Sequence, residues 1–150
     1  MDDKMIKVAV FDDNELRRES LALLINATSD MVCTGTFPDC SNTVYDIRKA
    51  DPQVVLMDID MPVVNGIEGV RIIRNQFPQV QILMQTVFED DEKIFASICA
   101  GASGYILKKS TPPQIIQAIE DVYNGGAAMT ASVAKQVIRA FQQNTFIENN

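Results

Sequence analysis

The stretch VVLMDIDMPVVNG, residues 54–66, decides the fold of this chain. Its first four residues are apolar, which is typical of a short strand buried on both faces. The apolar run ends at Asp58, and a carboxylate is costly there unless a metal ion, another cation or water meets it. Pro62 and Gly66 then turn the chain into a helical pattern. Because ligands of open α/β sheets collect at the carboxyl ends of the strands, we predict that Asp58 is the reactive residue.

The composition is that of a folded chain without histidine. With 150 residues, of which 47% are hydrophobic, we expect one domain with a substantial core. The formal net charge of −7 argues against binding of nucleic acid or of an anionic membrane by this chain alone. The lack of histidine excludes histidine triads, histidine metal ligands and phosphohistidine on this chain.

The cysteines and the N-terminus predict a cytoplasmic protein. Cys33, Cys40 and Cys99 follow no metal or redox spacing, so we expect small buried side chains in a reducing compartment. The N-terminal apolar run is too short for a signal peptide or a membrane span. We therefore expect no membrane partner.

Strand and helix patterns alternate along the chain. Strands are predicted at Ile6–Phe11, at Met31–Phe37, from Val54 to Asp58, at residues 80–85 and at Gly104–Leu107, and each precedes a helical pattern. Five such βα units predict an α/β fold, with a parallel sheet covered by helices on both faces.

Two of the helices have apolar stripes that predict which side is buried. The first helix, capped by Asn14, is predicted to bury Leu16, Leu23, Leu24 and Ala27. A last helix is predicted over residues 131–143, followed by a frayed polar tail, and its apolar side carries Val133, Val137, Ala140 and Phe141.

Polar residues follow or end four of the five predicted strands. They are Asp12 and Asp13, Asp58, Thr86 and Lys108. Three carboxylates at one sheet edge repel one another, and one lysine leaves two negative charges that a divalent cation such as Mg²⁺ can balance. A lysine and a hydroxyl suit a phosphoryl group. The pattern therefore predicts a phosphate beside a metal ion, with a carboxylate as nucleophile.

These residues together resemble the receiver domain of two-component response regulators. The resemblance is carried by Asp12-Asp13, by the DxxMPxxxG pattern from Asp58 to Gly66, by Thr86 and by GYILK at residues 104–108, and it covers about residues 5–124. It implies a flavodoxin-like doubly wound sheet with strand order 2-1-3-4-5.

The resemblance also implies roles for individual residues. Asp58 would accept a phosphoryl group from the phosphohistidine of a sensor histidine kinase. Mg²⁺ would be held by Asp12, Asp13, Asp58 and the main-chain carbonyl of Asp60. Thr86 and Lys108 would bind the phosphoryl group, and Tyr105 would be an aromatic switch residue. From the sequence alone, Tyr105 could equally be a half-buried strand tyrosine.

The motifs most resemble receivers of NarL/LuxR-type regulators, which carry a helix-turn-helix output domain. In those proteins a turn and a linker helix follow the receiver, so we interpret residues 125–150 as linker helix and tail. DNA would be bound only through an output domain that is absent from this sequence. We favour a receiver cut from a longer transcription regulator over a stand-alone receiver. We expect a homodimer through the fourth helix, the strand of Tyr105 or the last helices.

Val87 departs from the family pattern, in which a small residue usually follows the switch threonine. Its branched side chain is expected to hinder a phosphodonor or an attacking water molecule and thus to slow phosphoryl exchange. Phe88 and the side chain of Asp60 also flank the predicted site and are expected to tune hydrolysis.

Two alternatives use similar residues. Asp58-Ile59-Asp60 also resembles the Asp-x-Asp motif of haloacid-dehalogenase-type phosphohydrolases, but there the motif lies on the first strand and the acidic pair comes later. A nucleotide or flavin module would need a glycine-rich phosphate loop, and none follows the first strand.

Overall fold

The computed structural model describes residues 5–61, 64–87 and 91–148. Pro62 and Phe88 lie outside these ranges. The elements in chain order are β1 Ile6–Phe11, α1 Glu15–Asn26, β2 Met31–Phe37, α2 Thr43–Ala50, β3 Val54–Asp58, α3 Gly66–Gln76, β4 Gln81–Thr86, α4 Asp91–Ala100, β5 Gly104–Leu107, α5 Pro112–Tyr123 and α6 Ala131–Glu148. The five strands form one parallel sheet in the order β2-β1-β3-β4-β5, which confirms the predicted topology.

The sheet separates two apolar cores. Every residue of β3, the central strand, is buried, as expected for a parallel strand that is covered on both faces. Alternate strand residues face opposite sides, so Leu56 joins one core and Met57 the other. The first core contains residues of α1 and α5, and the second contains residues of α2 and α3 together with Ile94 of α4.

The predicted buried stripe of α1 is wrong except for Leu24, which is partly buried against the core. Leu16 and Leu23 are 74% and 73% exposed, whereas Leu21 and Ile25 are buried. Arg17, Leu21 and Ile25 are spaced about one turn apart, so they share the face of α1 that is directed to the sheet. Because Arg17 is charged, the hydrophobic pattern did not reveal the inward face.

Several predicted helix ends are confirmed. The side chain of Asn14 accepts from the backbone of Arg17, and Thr111 forms a capping box with Gln114. Gly101 follows α4 with a φ of +119°, a conformation that favours glycine. The caps at Asn14 and Thr111 fix where α1 and α5 begin, and thus where the preceding loops end.

The last helix is longer than predicted and packs on the domain. It continues to Glu148 instead of fraying after residue 143. Val133 is fully buried, α6 packs against α4, and the rings of Phe95 and Phe141 meet edge to face at 5.5 Å. Packing of α6 on α4 adds stability that local helix propensity does not reveal.

The segment before α6 covers the outer edge of β5. The main-chain N–H of Tyr105 donates to the carbonyl of Ala128 at 2.7 Å, and Tyr105 and Met129 form an isolated bridge. Backbone groups at a sheet edge need such partners when they are covered. The edge that ends the sheet after β5 is therefore protected by residues 127–130.

The three cysteines have different environments. All three are free thiols; Cys40 is buried, Cys33 is partly buried and Cys99 is exposed. The expectation of three buried side chains is thus wrong for Cys99.

None of the helices in the described part of the chain combines the length and the apolar character that a bilayer crossing requires.

Candidate functional site

The carboxyl ends of β1 and β3 bring three carboxylates together. One oxygen each of Asp12, Asp13 and Asp58 lies within 4.8 Å of the others. Asp12 and Asp58 are buried, whereas Asp13 is exposed. The predicted cluster therefore exists as a pocket with two buried carboxylates and one that faces solvent.

Lys108 joins this cluster from the end of β5. Its Nζ lies 2.9 Å from Oδ2 of Asp58 and 3.6 Å from Oδ2 of Asp12. Its main-chain N–H donates to the carbonyl of Thr86 at 2.7 Å, which ties the ends of β4 and β5 together. Charge-assisted hydrogen bonds of this kind position the carboxylate as well as neutralise it.

Burial raises the pKa of the Asp58 carboxyl to about 6. The hydrogen bond and the charge of Lys108 oppose this rise, and the nearby charge of Asp12 adds to it. Loss of hydration at a nearly inaccessible carboxylate thus outweighs the benefit of one ammonium group. At neutral pH the carboxylate is mostly ionised and can act as a nucleophile.

Arg17 and Gln85 belong to the site although the sequence analysis missed them. The Nε of Arg17 lies 3.4 Å from Oδ2 of Asp12, and its Nη2 donates to Oε1 of Gln85 at 2.6 Å. The amide nitrogen of Gln85 donates to the same Asp12 oxygen at 3.4 Å. A glutamine inside the apolar strand β4, at a fully buried position, was the signal that could have revealed this network.

The residues directly after β3 and the start of α3 lie close to Asp58. The main-chain N–H of Asp60 donates to Oδ1 of Asp58 at 3.2 Å, and the side chain of Asp60 pairs with Lys93 of α4 at 3.1 Å. A Cβ on Gly66 would collide with the carbonyl oxygen of Asp58. Glycine at this position therefore allows α3 to begin directly against the main chain of Asp58.

The remaining predicted residues lie around the end of β4. Thr86 is fully buried at the last position of the strand, and Val87 after it is 61% exposed. Tyr105 is a fully buried strand residue, rather than a half-buried one, in the core next to α4 and α6. Phe88, the other predicted tuning residue, lies outside the described residues.

The pocket fits a hard divalent cation. Its donors are oxygens, and Asp13 opens it to solvent, which suits Mg²⁺ because this ion keeps several water ligands. Lys108 and Arg17 together leave one negative charge in excess among the three carboxylates. An incoming cation would remove that excess.

Comparison with known proteins identifies the family. Residues 8–120 match the family model described as the response regulator receiver domain. This chain belongs to that family. The flavodoxin-like strand order and the acidic pocket at the sheet edge are those that the resemblance implied.

Relatives of this receiver domain include transcription regulators. It is 36% identical to the transcriptional regulatory protein YxjL of Bacillus subtilis (strain 168) over 147 residues, which cover 95% of this chain and 67% of YxjL. It is 33% identical to the transcriptional regulatory protein LnrK of the same organism, covering 93% of this chain and 63% of LnrK. The chain thus spans about two thirds or less of the length of these relatives.

A solved structure shows the same fold. The receiver domain superposes with a TM-score of 0.84 on a LuxR-family two-component response regulator from Aurantimonas sp. SI85-9A1, with 29% identity over 90% of this chain and 96% of that chain. The similarity to LuxR-type regulators that the motifs indicated is therefore confirmed.

Proposed function

We propose that Asp58 is the phosphoacceptor of this receiver domain and takes a phosphoryl group from the phosphohistidine of a sensor histidine kinase. A carboxylate oxygen of Asp58 attacks phosphorus, the phosphorus–nitrogen bond breaks with its electron pair moving to nitrogen, and the histidine, protonated on its other ring nitrogen, leaves as neutral imidazole. The main support for this proposal is the position of the Asp58 carboxylate at the sheet edge. It lies 2.9 Å from the ammonium of Lys108 and beside two further carboxylates. Phosphoryl transfer depends mainly on such positioning and charge stabilisation.

Mg²⁺ is the cation that this pocket would hold. Its ligands would come from Asp12, Asp13, Asp58 and the main-chain carbonyl of Asp60. When bound, the ion would neutralise charge on the phosphoryl oxygens. Asp12 is held for this role by the N–H of Asn14, which donates to its Oδ1 at 2.9 Å.

Lys108 and Thr86 would bind the phosphoryl group after transfer. Esterification removes the carboxylate charge of Asp58 and adds oxygens that accept hydrogen bonds. Lys108 already reaches Asp58, so its ammonium can shift to a phosphoryl oxygen without leaving the pocket. Thr86 ends β4 beside it, and Tyr105 is proposed to respond to its movement. The phosphorylated state would thereby favour one arrangement of these loops.

The output surface would be formed by α4 and α6. The outer edge of β5 is covered by residues 127–130, and the Tyr105 side chain is inaccessible, so β5 itself offers little surface to a partner. We propose a homodimer through α4 or α6 in the phosphorylated state. Its test is the mass in solution with and without beryllofluoride, a phosphoryl mimic, and equal masses would contradict it.

The division of the chain follows from the same proposal. Residues 5–124 would form the receiver and residues 125–150 the linker helix and tail, in a cytoplasmic transcription regulator. DNA would be contacted only by an output domain like that of LuxR-type regulators. Besides kinase-dependent transfer, self-phosphorylation from small phosphodonors and autodephosphorylation belong to the proposal.

The deciding experiment is incubation with Mg²⁺ and acetyl phosphate, followed by intact mass spectrometry. The parent and Asp60→Asn are expected to gain one phosphoryl group, and Asp58→Asn none. Label that persists in Asp58→Asn would refute the assignment. Omission of Mg²⁺ is expected to suppress labelling in the parent.

A phosphohydrolase would behave differently in a second assay. Sustained turnover of p-nitrophenyl phosphate by the parent, lost in Asp58→Asn, would favour the Asp-x-Asp enzyme over the receiver. We expect no such turnover.

A further inference from the structure

We infer that Arg17 is a resident counter-cation of Asp12 and lowers the affinity of the acidic pocket for divalent cations. This inference rests on the proposed function of the pocket, and it assigns a tuning role to a residue outside the predicted metal and phosphoryl ligands. The guanidinium and an incoming cation would share one carboxylate, Asp12, which is fully buried.

The guanidinium is anchored beside Asp12 by hydrogen bonds of its two terminal nitrogens, and its Nε faces Asp12 as an ion pair. All three nitrogens of Arg17 have neighbours from different elements: Nε faces Oδ2 of Asp12 at 3.4 Å, Nη2 donates to Gln85 at 2.6 Å, and Nη1 donates to the carbonyl of Lys108 at 3.4 Å. Only 24% of the Arg17 side chain is exposed. A partly buried and anchored charge is screened by salt much less than a mobile surface charge.

Gln85 makes this position specific to arginine. It is the last but one residue of β4, fully buried, and its side chain bridges Arg17 and Asp12 with both of its polar atoms. A lysine at position 17 would keep the charge but has no planar fork to reach Gln85 and Lys108 together. Substitution of Arg17 by lysine therefore separates the effect of its charge from the effect of its hydrogen-bonding geometry.

The charge of the pocket predicts whether loss of Arg17 strengthens or weakens metal binding. Oδ2 of Asp12 already faces Lys108 at 3.6 Å in addition to Arg17, so a metal ion meets two resident cations at this oxygen. Removal of the guanidinium raises the negative charge that the ion meets. The attraction for a divalent ion then increases, because Coulomb energy is proportional to the charge.

The test is isothermal titration of the metal-free protein with MgCl₂. Arg17→Gln and Arg17→Met are expected to bind Mg²⁺ about three- to tenfold more tightly than the parent, and Arg17→Lys to stay within about twofold of it. Arg71→Gln is the matched control, because it removes an exposed arginine that pairs with Glu68 on α3, and no change is expected.

The measured affinities distinguish a tuning role of Arg17 from a purely structural one. Equal affinity in the parent, Arg17→Gln and Arg17→Met overturns the inference. Weaker binding in all three Arg17 variants, Arg17→Lys included, also overturns it and assigns Arg17 a purely structural role in holding Asp12. Thermal melts without metal identify a variant that fails to fold, and Arg17→Met retains the aliphatic packing of the stem.

Failure of the proposed function is distinguishable in the same titration. If the parent binds no Mg²⁺, or if Asp13→Asn binds as tightly as the parent, the acidic pocket is not the metal site. If the parent binds and Asp13→Asn does not, the pocket is established and only the Arg17 variants decide the inference.

Discussion

Nζ of Lys108 lies 2.9 Å from Oδ2 of Asp58, although the two residues are 50 positions apart in the chain. Asp58 ends β3 and Lys108 directly follows β5, and β4 lies between these two strands. The lysine therefore reaches across one strand to a carboxylate that is 1% exposed. This contact depends on parallel strands ending at one edge, and it places a cation where a phosphoryl group would carry negative charge.

The buried carboxylate of Asp58 is expected to cost stability in the metal-free protein. Its pKa is raised from 3.8 to about 6, so the folded state loses stability as the pH rises above 4, and the cost is complete above about pH 6. We expect Asp58→Asn to raise the free energy of unfolding by about 1–3 kcal/mol at pH 8 in EDTA.

Urea denaturation at two pH values checks this expectation. The gain from Asp58→Asn should be smaller at pH 5 than at pH 8, because the folded carboxyl is then largely protonated. Asp13→Asn, which removes an exposed carboxylate of the same cluster, is the control and should stabilise less. A gain that is independent of pH would contradict the raised pKa.

Val87→Ala is expected to accelerate both phosphorylation by acetyl phosphate and loss of the phosphoryl group. Val87 follows Thr86 and is 61% exposed, so its branched side chain stands at the solvent side of the strand end. Val87→Thr keeps the branched shape and should react at the parent rate. Rates followed by intact mass would refute the steric explanation if Val87→Ala and the parent were equal.

Gly66→Ala is expected to destabilise the fold by about 2–4 kcal/mol, because the added Cβ collides with the main chain at Asp58. Gly125→Ala is a useful contrast. Gly125 has a φ of +87° but nothing within 4 Å of an added Cβ, so only backbone strain of about 1 kcal/mol is expected. Urea denaturation of both variants measures how much unfolding free energy each one loses. Equal losses would show that the contact between an added Cβ and the main chain of Asp58 is not what requires glycine at position 66.

Val133→Ala is expected to lower the free energy of unfolding by about 1–3 kcal/mol, since Val133 anchors α6 in the core. Ile138→Ala changes an exposed position of the same helix and should alter stability by less than about 0.5 kcal/mol. If both substitutions were neutral in thermal and urea denaturation, α6 would not pack on α4 in solution.

The caps and the central strand could be predicted from local sequence. Asn14 and Thr111 offer side-chain oxygens at the first turn of a helix, and this requirement does not depend on the rest of the chain. The apolar run that ends at Asp58 likewise predicts a buried strand with a polar end. The cluster of strand-end residues follows from these elements, because parallel strands share their carboxyl edge.

The inward face of α1 and the length of α6 could not be predicted in this way. Arg17 faces the sheet because Gln85 and Asp12 offer it partners there, whereas the leucine pattern favoured a face that is exposed. α6 packs on α4 through contacts such as that of Phe95 with Phe141, which join residues far apart in the chain.

The sequence by itself thus determined the elements, their order along the chain and the acidic residues at the strand ends. Their causes are local: apolar periodicity, capping groups, and turn residues such as Gly101. Only the tertiary structure decided which cations meet Asp12 and Asp58 and which surface α6 covers. Those contacts join residues that are distant in the chain, and their free energy depends on burial and on distances that exist only once the sheet has formed.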